Sequence, residues 1–210
     1  MNMIIPESLD KEIRRADIIV FEGFEMTGKS TLAKFVESNY KPSFLYRPDW
    51  EGTLSTDVVS RGNRHIPGLS IVDNWSDLIL EGIVDSRTKL LLDRWMAVSV
   101  VYQQMYDQDT DSVSPEKLAE SFVRSARDFN LLFIHKNHGS EEEARTMYEI
   151  TMKNSIDHED IYDKFRDFED YYKAYLHFEE CYDSFYRSNL NPFKVLKISS
   201  LTNKPSNGGI

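Results

Sequence analysis

The chain has 210 residues, of which 40% are hydrophobic and 29% charged, a composition that fits one folded α/β domain and excludes global disorder. Its 25 lysines and arginines are outnumbered by 35 aspartates and glutamates, and the formal charge of −10 argues against a general nucleic-acid binder, although it leaves room for a local basic cleft. The single cysteine, Cys181, cannot form an intramolecular disulfide, and no apolar run reaches the ~20 residues that span a bilayer, so we expect a cytoplasmic protein without a membrane partner.

Five short apolar runs have the near-continuous hydrophobicity that is typical of buried parallel strands. They are Ile18–Phe21, Phe44–Tyr46, Leu90–Leu92, Leu131–Ile134 and Phe193–Ile198. Segments with helical spacing lie between these runs, namely Ser30–Ser38, Val72–Gly82, Ala97–Tyr106, Glu116–Arg127 and a long stretch from Glu141 to Arg187. Strands that alternate with helices predict an α/β fold, with a five-stranded parallel sheet and helices on both faces.

No linker or shift in composition divides the chain, so residues 1–201 are predicted to form one domain. The segment Gly52–Ser70 is rich in Gly, Ser, Thr and Asn, and we expect a loop there, on the edge where the parallel strands end. Residues 202–210 contain Pro205, Gly208 and Gly209 and are predicted to form a flexible C-terminal tail.

The strongest motif is Gly23-Phe24-Glu25-Met26-Thr27-Gly28-Lys29-Ser30, which matches the phosphate-binding pattern G-x-x-x-x-G-K-[ST] between an apolar strand and a helical segment. Gly23 and Gly28 allow backbone angles that turn successive N–H groups towards phosphate oxygens. We expect Lys29 to neutralise the β- and γ-phosphates of ATP and the Ser30 hydroxyl to ligate Mg²⁺. The motif alone does not separate a kinase from a GTPase or an ATPase. The candidate ATP contacts are Gly23, Thr27, Gly28, Lys29, Ser30 and Thr31.

Three blocks of sequence favour a kinase over a GTPase or an ATPase. Phe21-Glu22-Gly23, followed by Glu25 and Gly28-Lys29-Ser30-Thr31, is similar to the pattern F-E-G-x-D-x-x-G-K-[ST]-T. Leu90–Trp95 with Tyr102-Gln103 is similar to a strand that ends in D-R-[YH] and is followed by A-Y-Q, and Arg47-Pro48 is similar to an R-x-P segment. Together the blocks resemble the thymidylate kinase-like family of deoxynucleotide kinases. The resemblance implies a three-layer P-loop NTPase fold with a small lid at about residues 136–167, and transfer of the ATP γ-phosphoryl group to a deoxynucleoside 5′-monophosphate.

The same resemblance implies roles for individual residues. Asp93 would hold Mg²⁺ through water or orient the attacking oxygen, and Arg94 would bind the acceptor or the transferring phosphoryl group. Glu25 would bond the 3′-hydroxyl of the acceptor sugar. Gln103 would read the edge of the acceptor base, and Arg47 would reach the acceptor phosphate.

The chain departs from the family pattern where phosphate-binding arginines are expected. Asn74 aligns with the arginine before the D-R strand, and Met26 stands where some members have an arginine in the phosphate loop. The lid region is mostly acidic, and Arg145 and Lys153 are its candidate cations, although a solvated helix face explains each of them equally well. Two loop arginines, Arg61 and Arg64, are further candidates for the missing acceptor contact, and Trp50 and Trp75 are candidates either for stacking on a nucleobase or for the core.

Three alternatives therefore stay open beside the nucleoside monophosphate kinase. A deoxynucleoside kinase that acts on a 5′-hydroxyl would not need an arginine for an acceptor phosphate. A kinase that acts on a modified base in DNA would account for the altered acceptor contacts, but the charge of −10 weighs against it. A regulator that binds nucleotide without catalysis would account for the acidic lid. The expected partner is a small-molecule nucleotide or nucleoside acceptor, and a homodimer is compatible with the family resemblance.

Overall fold

The computed structural model describes residues 3–46, 65–94, 101, 120, 124, 126–154, 165–190 and 193–202. Five helices and five strands have the following order in these residues: α1 Glu7–Arg15, β1 Ile18–Glu22, α2 Lys29–Asn39, β2 Ser43–Tyr46, α3 His65–Leu80, β3 Lys89–Asp93, β4 Leu131–Asn137, α4 Glu141–Asn154, α5 Phe168–Phe185 and β5 Lys194–Ser199. A short π-helix, Tyr186–Leu190, continues α5. The helices predicted at 97–106 and 116–127 fall almost wholly outside the described residues.

The five strands form one sheet in the order β2-β3-β1-β4-β5, and every neighbouring pair is parallel. In this order β1 is central, and its carboxyl end is flanked by those of β3 and β4. Phe21 of β1 pairs with Asp93 of β3, and Glu22 pairs with His135 of β4. The predicted five-stranded parallel sheet is confirmed.

Alternate residues of β1 serve two separate cores, as expected for a strand that is covered on both faces. Ile18 and Val20 pack in the core that contains the buried residues of α3 and α5. Ile19 and Phe21 pack in the core that contains the buried residues of α1 and α2. The sheet is thus the middle layer of three, which confirms the predicted three-layer P-loop NTPase fold.

Helix α1 was not predicted from the sequence. Leu9 and Ile13 are its buried residues, and because they are four positions apart they lie on one face of the helix. The long predicted segment Glu141–Arg187 contains two helices, α4 and α5, with residues 155–164 between them outside the described part of the chain.

The predicted lid begins too early. Lys136 and Asn137 belong to β4, where they pair with Ile198 and Ser199 of β5. Lys136 is also buried, so it is a residue of the sheet and not a cation on a mobile lid. Among the described residues, no helix is both long and apolar enough to cross a membrane.

Candidate functional site

The loop between β1 and α2 has the backbone geometry that a phosphate-binding loop needs. Gly23 has φ +134° and Gly28 has φ +79°, values that side chains disfavour. At Gly23 a Cβ atom would lie 2.2 Å from the carbonyl oxygen of Lys136, so only glycine fits against β4 there. Gly28 is the N-cap of α2 and makes no side-chain capping bond, and the first turn of the helix therefore offers its backbone N–H groups and its positive dipole end to an anion.

Lys29 is the first residue of α2, and its side chain is buried against this loop. Its Nζ donates a hydrogen bond of 2.7 Å to the carbonyl oxygen of Phe24, which also accepts one of 2.9 Å from the Thr27 hydroxyl. Burial, and to a lesser extent repulsion from Arg94, lower the pKa of Lys29 to about 7, although the nearby carboxylates act in the opposite direction. A phosphate group in the loop would replace the Phe24 carbonyl with a fully charged acceptor and favour the ammonium form.

Ser30 and Asp93 form the candidate metal site. The Ser30 hydroxyl, in the first turn of α2, lies 3.2 Å from Oδ1 of Asp93, which is buried at the carboxyl end of β3. Within the described residues no group of three or more His, Cys, Asp or Glu side chains could hold a metal ion. A hydroxyl beside one carboxylate fits Mg²⁺, because this ion takes few protein ligands and completes its shell with phosphate oxygens and water.

Arg94 and Glu25 form a bidentate ion pair across the site. The guanidinium donates 3.2 Å and 2.9 Å hydrogen bonds to the two oxygens of the Glu25 carboxylate. Arg94 has φ +66° and Met26, next to Glu25, has φ +60°, which is an uncommon conformation for residues with side chains. Such strain persists only where the surrounding structure enforces it, and it is typical of functional sites. The structure thus brings together five of the predicted residues: Glu25, Lys29, Ser30, Asp93 and Arg94.

A layer of aromatic and polar residues behind the loop was missed by sequence reasoning. The Tyr171 hydroxyl of α5 donates to the carbonyl oxygen of Glu25 at 3.0 Å, and the Phe24 ring packs 5.2 Å from the Phe178 ring, measured between centroids. Lys136 Nζ donates to the carbonyl oxygens of Ser199 and Ser200 at 2.8 Å and 3.1 Å. The aromatic residues of α5 follow a helical spacing in the sequence, but that pattern predicts only a packed helix and not the residues that it contacts.

The remaining predicted residues lie elsewhere. Trp75 is 2% exposed and packs against Phe44 with ring centroids 5.9 Å apart, so of its two predicted roles the structure supports the core. Arg145 of α4 lies 3.3 Å from Glu169 and 3.8 Å from the centre of the Phe168 ring, which ties it to the start of α5. Thr31 and Lys153 are exposed on α2 and α4. Outside the described residues lie Arg47, Trp50, Arg61, Arg64 and Gln103.

Fold and loop together define the class of the chain, which is a P-loop protein with the phosphate-binding loop at the carboxyl end of the central strand. No protein-family model matches the chain, and no curated protein sequence matches it. Similar solved structures include deoxyadenosine kinase from M. mycoides with the products dCMP and dCDP, at 13% identity and TM-score 0.49 over 87% of this chain and 90% of that one. The same enzyme with dATP gives 14% identity and TM-score 0.47 over 87% and 90% of the two chains.

Thymidylate kinase from Candida albicans gives 15% identity and TM-score 0.45, over 88% of this chain and 84% of that one. The strand order and the backbone geometry of the loop define the fold.

Proposed function

We propose that the chain is a nucleotide kinase that transfers the γ-phosphoryl group of ATP to a deoxynucleoside 5′-monophosphate with a thymidylate-like base. The observation that carries the proposal is the meeting of a phosphate loop, a hydroxyl–carboxylate pair and an arginine–carboxylate pair at the carboxyl ends of β1 and β3. The first of these binds nucleotide, and P-loop NTPases of every kind hold Mg²⁺ with a pair like the second. Phosphoryl transfer requires further charges beside the terminal phosphate, and the other two pairs supply them.

In this proposal the loop binds the donor. Backbone N–H groups between Gly23 and Ser30 enclose the β- and γ-phosphates, and Lys29 turns from the Phe24 carbonyl to their oxygens. Mg²⁺, when bound by Ser30 and Asp93, would neutralise charge on the phosphate oxygens. The reaction itself needs no covalent intermediate on the protein, because an oxygen of the acceptor phosphate attacks the γ-phosphorus while the bond to the ADP oxygen breaks.

In this proposal Arg94 and Glu25 bind the acceptor. The guanidinium would bind the transferring or acceptor phosphoryl group, whose planar oxygens suit its fork of donors. The Glu25 carboxylate would then exchange Arg94 for the 3′-hydroxyl of the acceptor sugar. Arg47 would contact the acceptor phosphate and Gln103 the acceptor base. Arg145 or Lys153 would approach the transferring phosphoryl group from the lid.

One observation favours a second candidate, a deoxynucleoside kinase. Asn74 is exposed on α3, at the position where the thymidylate kinase pattern has the arginine that grips the acceptor phosphate. An acceptor without a phosphate would not need that arginine. In this case the attacking group is a 5′-hydroxyl, and a carboxylate of the site would accept its proton.

An acceptor screen distinguishes these candidates. The purified chain is incubated with Mg²⁺ and γ-labelled ATP against each deoxynucleoside monophosphate, each deoxynucleoside and DNA, and the label is followed into product. We expect label in a deoxynucleoside diphosphate. Label only in a monophosphate would support the nucleoside kinase, and label in DNA would support the modified-base kinase. Phosphoryl transfer to none of the acceptors contradicts the proposal and leaves a nucleotide-binding regulator.

Two lysines of α2 provide a matched pair for the donor side. Lys29 is buried in the loop, whereas Lys34 is exposed on the same helix. We expect Lys29→Ala to lower kcat/KM by about 1,000-fold, because a charge aimed at the transferring group is lost, and Lys34→Ala to leave kcat/KM unchanged. Turnover by Lys29→Ala at the level of Lys34→Ala, with both variants folded by circular dichroism, would refute the assignment.

A further inference from the structure

A continuous chain of hydrogen bonds runs from α4 to the phosphate loop. Glu143 Oε1 lies 3.1 Å from the Ser200 hydroxyl, which lies 2.6 Å from Nδ1 of His138. Nε2 of His138 lies 2.7 Å from the Tyr171 hydroxyl, which donates to the Glu25 carbonyl oxygen at 3.0 Å. Glu25 is the loop residue whose carboxylate holds Arg94, so the chain ends at the backbone of the candidate catalytic pair.

The His138 ring is fixed in place. The side chain is buried, with only 6% of the residue exposed. The His138 backbone N–H donates to the Tyr175 hydroxyl at 2.9 Å, and that hydroxyl donates back to the His138 carbonyl oxygen at 3.1 Å. The Tyr175 ring also packs on the imidazole, with centroids 4.6 Å apart. Because the Tyr175 hydroxyl bonds only the His138 backbone, the two imidazole nitrogens bond Ser200 and Tyr171.

A count of hydrogens shows that the four hydrogen bonds between Glu143 and Glu25 cannot all be made at once when the imidazole is neutral. The four links need four hydrogens, but the hydroxyls of Ser200 and Tyr171 and one imidazole N–H supply three. With the hydrogen on Nε2, the links to Tyr171 and Glu25 are made and the Ser200 link to Glu143 is lost. With the hydrogen on Nδ1, the single hydroxyl hydrogen of Tyr171 serves either Nε2 or Glu25, so the two Tyr171 links cannot both be made.

The environment favours the first arrangement. Glu143 Oε1 also accepts from the Leu201 N–H at 2.6 Å and from the Ser199 hydroxyl, so it loses little when Ser200 turns to His138. Burial lowers the pKa of His138 to about 4, and repulsion from Lys136 and Lys29 adds to this effect, while Glu143 acts in the opposite direction. The ring is therefore neutral near pH 7, and a hydrogen on Nε2 is the arrangement that keeps both Tyr171 links.

We infer that His138 is a positioning residue, whose Nε2–H holds the Tyr171 hydroxyl in the orientation that donates to Glu25 and so fixes the phosphate loop around the Glu25–Arg94 pair. The effect on catalysis rests on the proposed function. The hydrogen-bond arrangement itself does not, and it can be tested in the protein without any acceptor.

The first test uses the unmodified chain labelled with ¹⁵N and ¹³C. Long-range ¹H–¹⁵N correlation spectra identify which nitrogen of each histidine ring carries hydrogen. We expect His138 to be in the Nε2–H form at pH 7. The Nδ1–H form would overturn the inference, because Nε2 would then have no hydrogen to donate to Tyr171, and since no turnover is measured this result is independent of the proposed function.

The second test compares two tyrosines of α5, Tyr171 and Tyr182, which are both 0% exposed. The Tyr182 hydroxyl has no hydrogen-bond partner among the residues that the structure describes, whereas that of Tyr171 bonds the loop. We expect Tyr171→Phe to move the Glu25 carbonyl ¹³C and Met26 amide ¹⁵N resonances, and Tyr182→Phe to leave both unchanged. Unmoved resonances in Tyr171→Phe would overturn the inference.

A kinetic test applies once an acceptor is known. A glutamine at position 138 can place an amide N–H near the position of Nε2, whereas an asparagine is too short to do so. We expect His138→Asn to lower kcat by about tenfold with the KM for ATP unchanged, and His138→Gln to recover most of the loss, because the loop still binds ATP but positions Arg94 less well. Equal losses in both variants would indicate a general packing role and overturn the inference. If either variant fails to fold, the spectrum of the unmodified chain decides.

Discussion

Lys29 is a cation that the folded chain encloses almost completely, since only 3% of the residue is exposed. Its pKa of about 7, lowered chiefly by burial, leaves the amine largely neutral at pH 8 and largely charged at pH 6. Polyphosphate beside Nζ raises this pKa again, because the ammonium then faces negative charge. ATP binding should therefore take up most of a proton at pH 8 and much less at pH 6.

Calorimetry in buffers with different ionisation enthalpies measures this proton uptake directly. Lys34→Ala serves as the control, because Lys34 is exposed on α2 and should leave the uptake as it is in the unmodified chain. Uptake that is the same at pH 6 and pH 8 would show that Lys29 does not change its protonation when the nucleotide binds.

Two glycines with positive φ are required for different reasons. Gly82 is required for its backbone conformation, and Gly23 also because no side chain fits at its position. Gly82 has φ +71° and ends α3 with two backbone bonds, from its own N–H to Ile79 and from the Ile83 N–H to Leu78. A Cβ there would meet nothing within 4 Å, so Gly82→Ala should cost only the left-handed conformation, about 1 to 2 kcal/mol.

Gly23→Ala should cost at least about 3 kcal/mol, because it adds a backbone clash to an unfavourable φ. The new Cβ would lie 2.2 Å from the Lys136 carbonyl oxygen, and neither β1 nor β4 can move without disturbing the centre of the sheet. Urea unfolding of both variants measures the difference. Equal free energies of unfolding would mean that the contact between the loop and β4 is looser than the structure indicates.

The centres of the elements were predictable from the sequence, but several of their ends were not. Apolar runs located all five strands, because a strand buried on both faces is hydrophobic throughout. The polar residues that end β1 and β3, Glu22 and Asp93, fell outside the predicted runs although their backbones continue the pairing with neighbouring strands. Hydrophobicity indicates which side chains are buried. It does not indicate where backbone hydrogen bonding between strands continues through polar residues.

Across the whole molecule, the site residues that lie in recognisable motifs were predictable, both in the phosphate loop and in the Asp93-Arg94 block at the end of β3, whereas the supporting residues that meet from distant segments without a motif were not. Gly23 to Ser30 form the loop by local backbone geometry, so a pattern identifies them. His138 and Ser200 meet across 62 positions, and Tyr171 reaches Glu25 across 146. Contacts of this kind depend on the strand order and on the packing of α5, which no local pattern in a single sequence records.

Binding of ATP in the phosphate loop should stabilise the entire folded chain. With a formal charge of −10 the protein repels ATP at long range, but salt screens that repulsion beyond ~8 Å, so binding must come from contacts in the loop. ATP with Mg²⁺ at 100 times its Kd should add about 2.7 kcal/mol and raise Tm by about 5 to 10 °C. Adenosine, which lacks the phosphates, should leave Tm unchanged, and so should ATP added to Lys29→Ala. A shift by adenosine as large as that by ATP would place the binding energy in a base site and remove the loop from its central role.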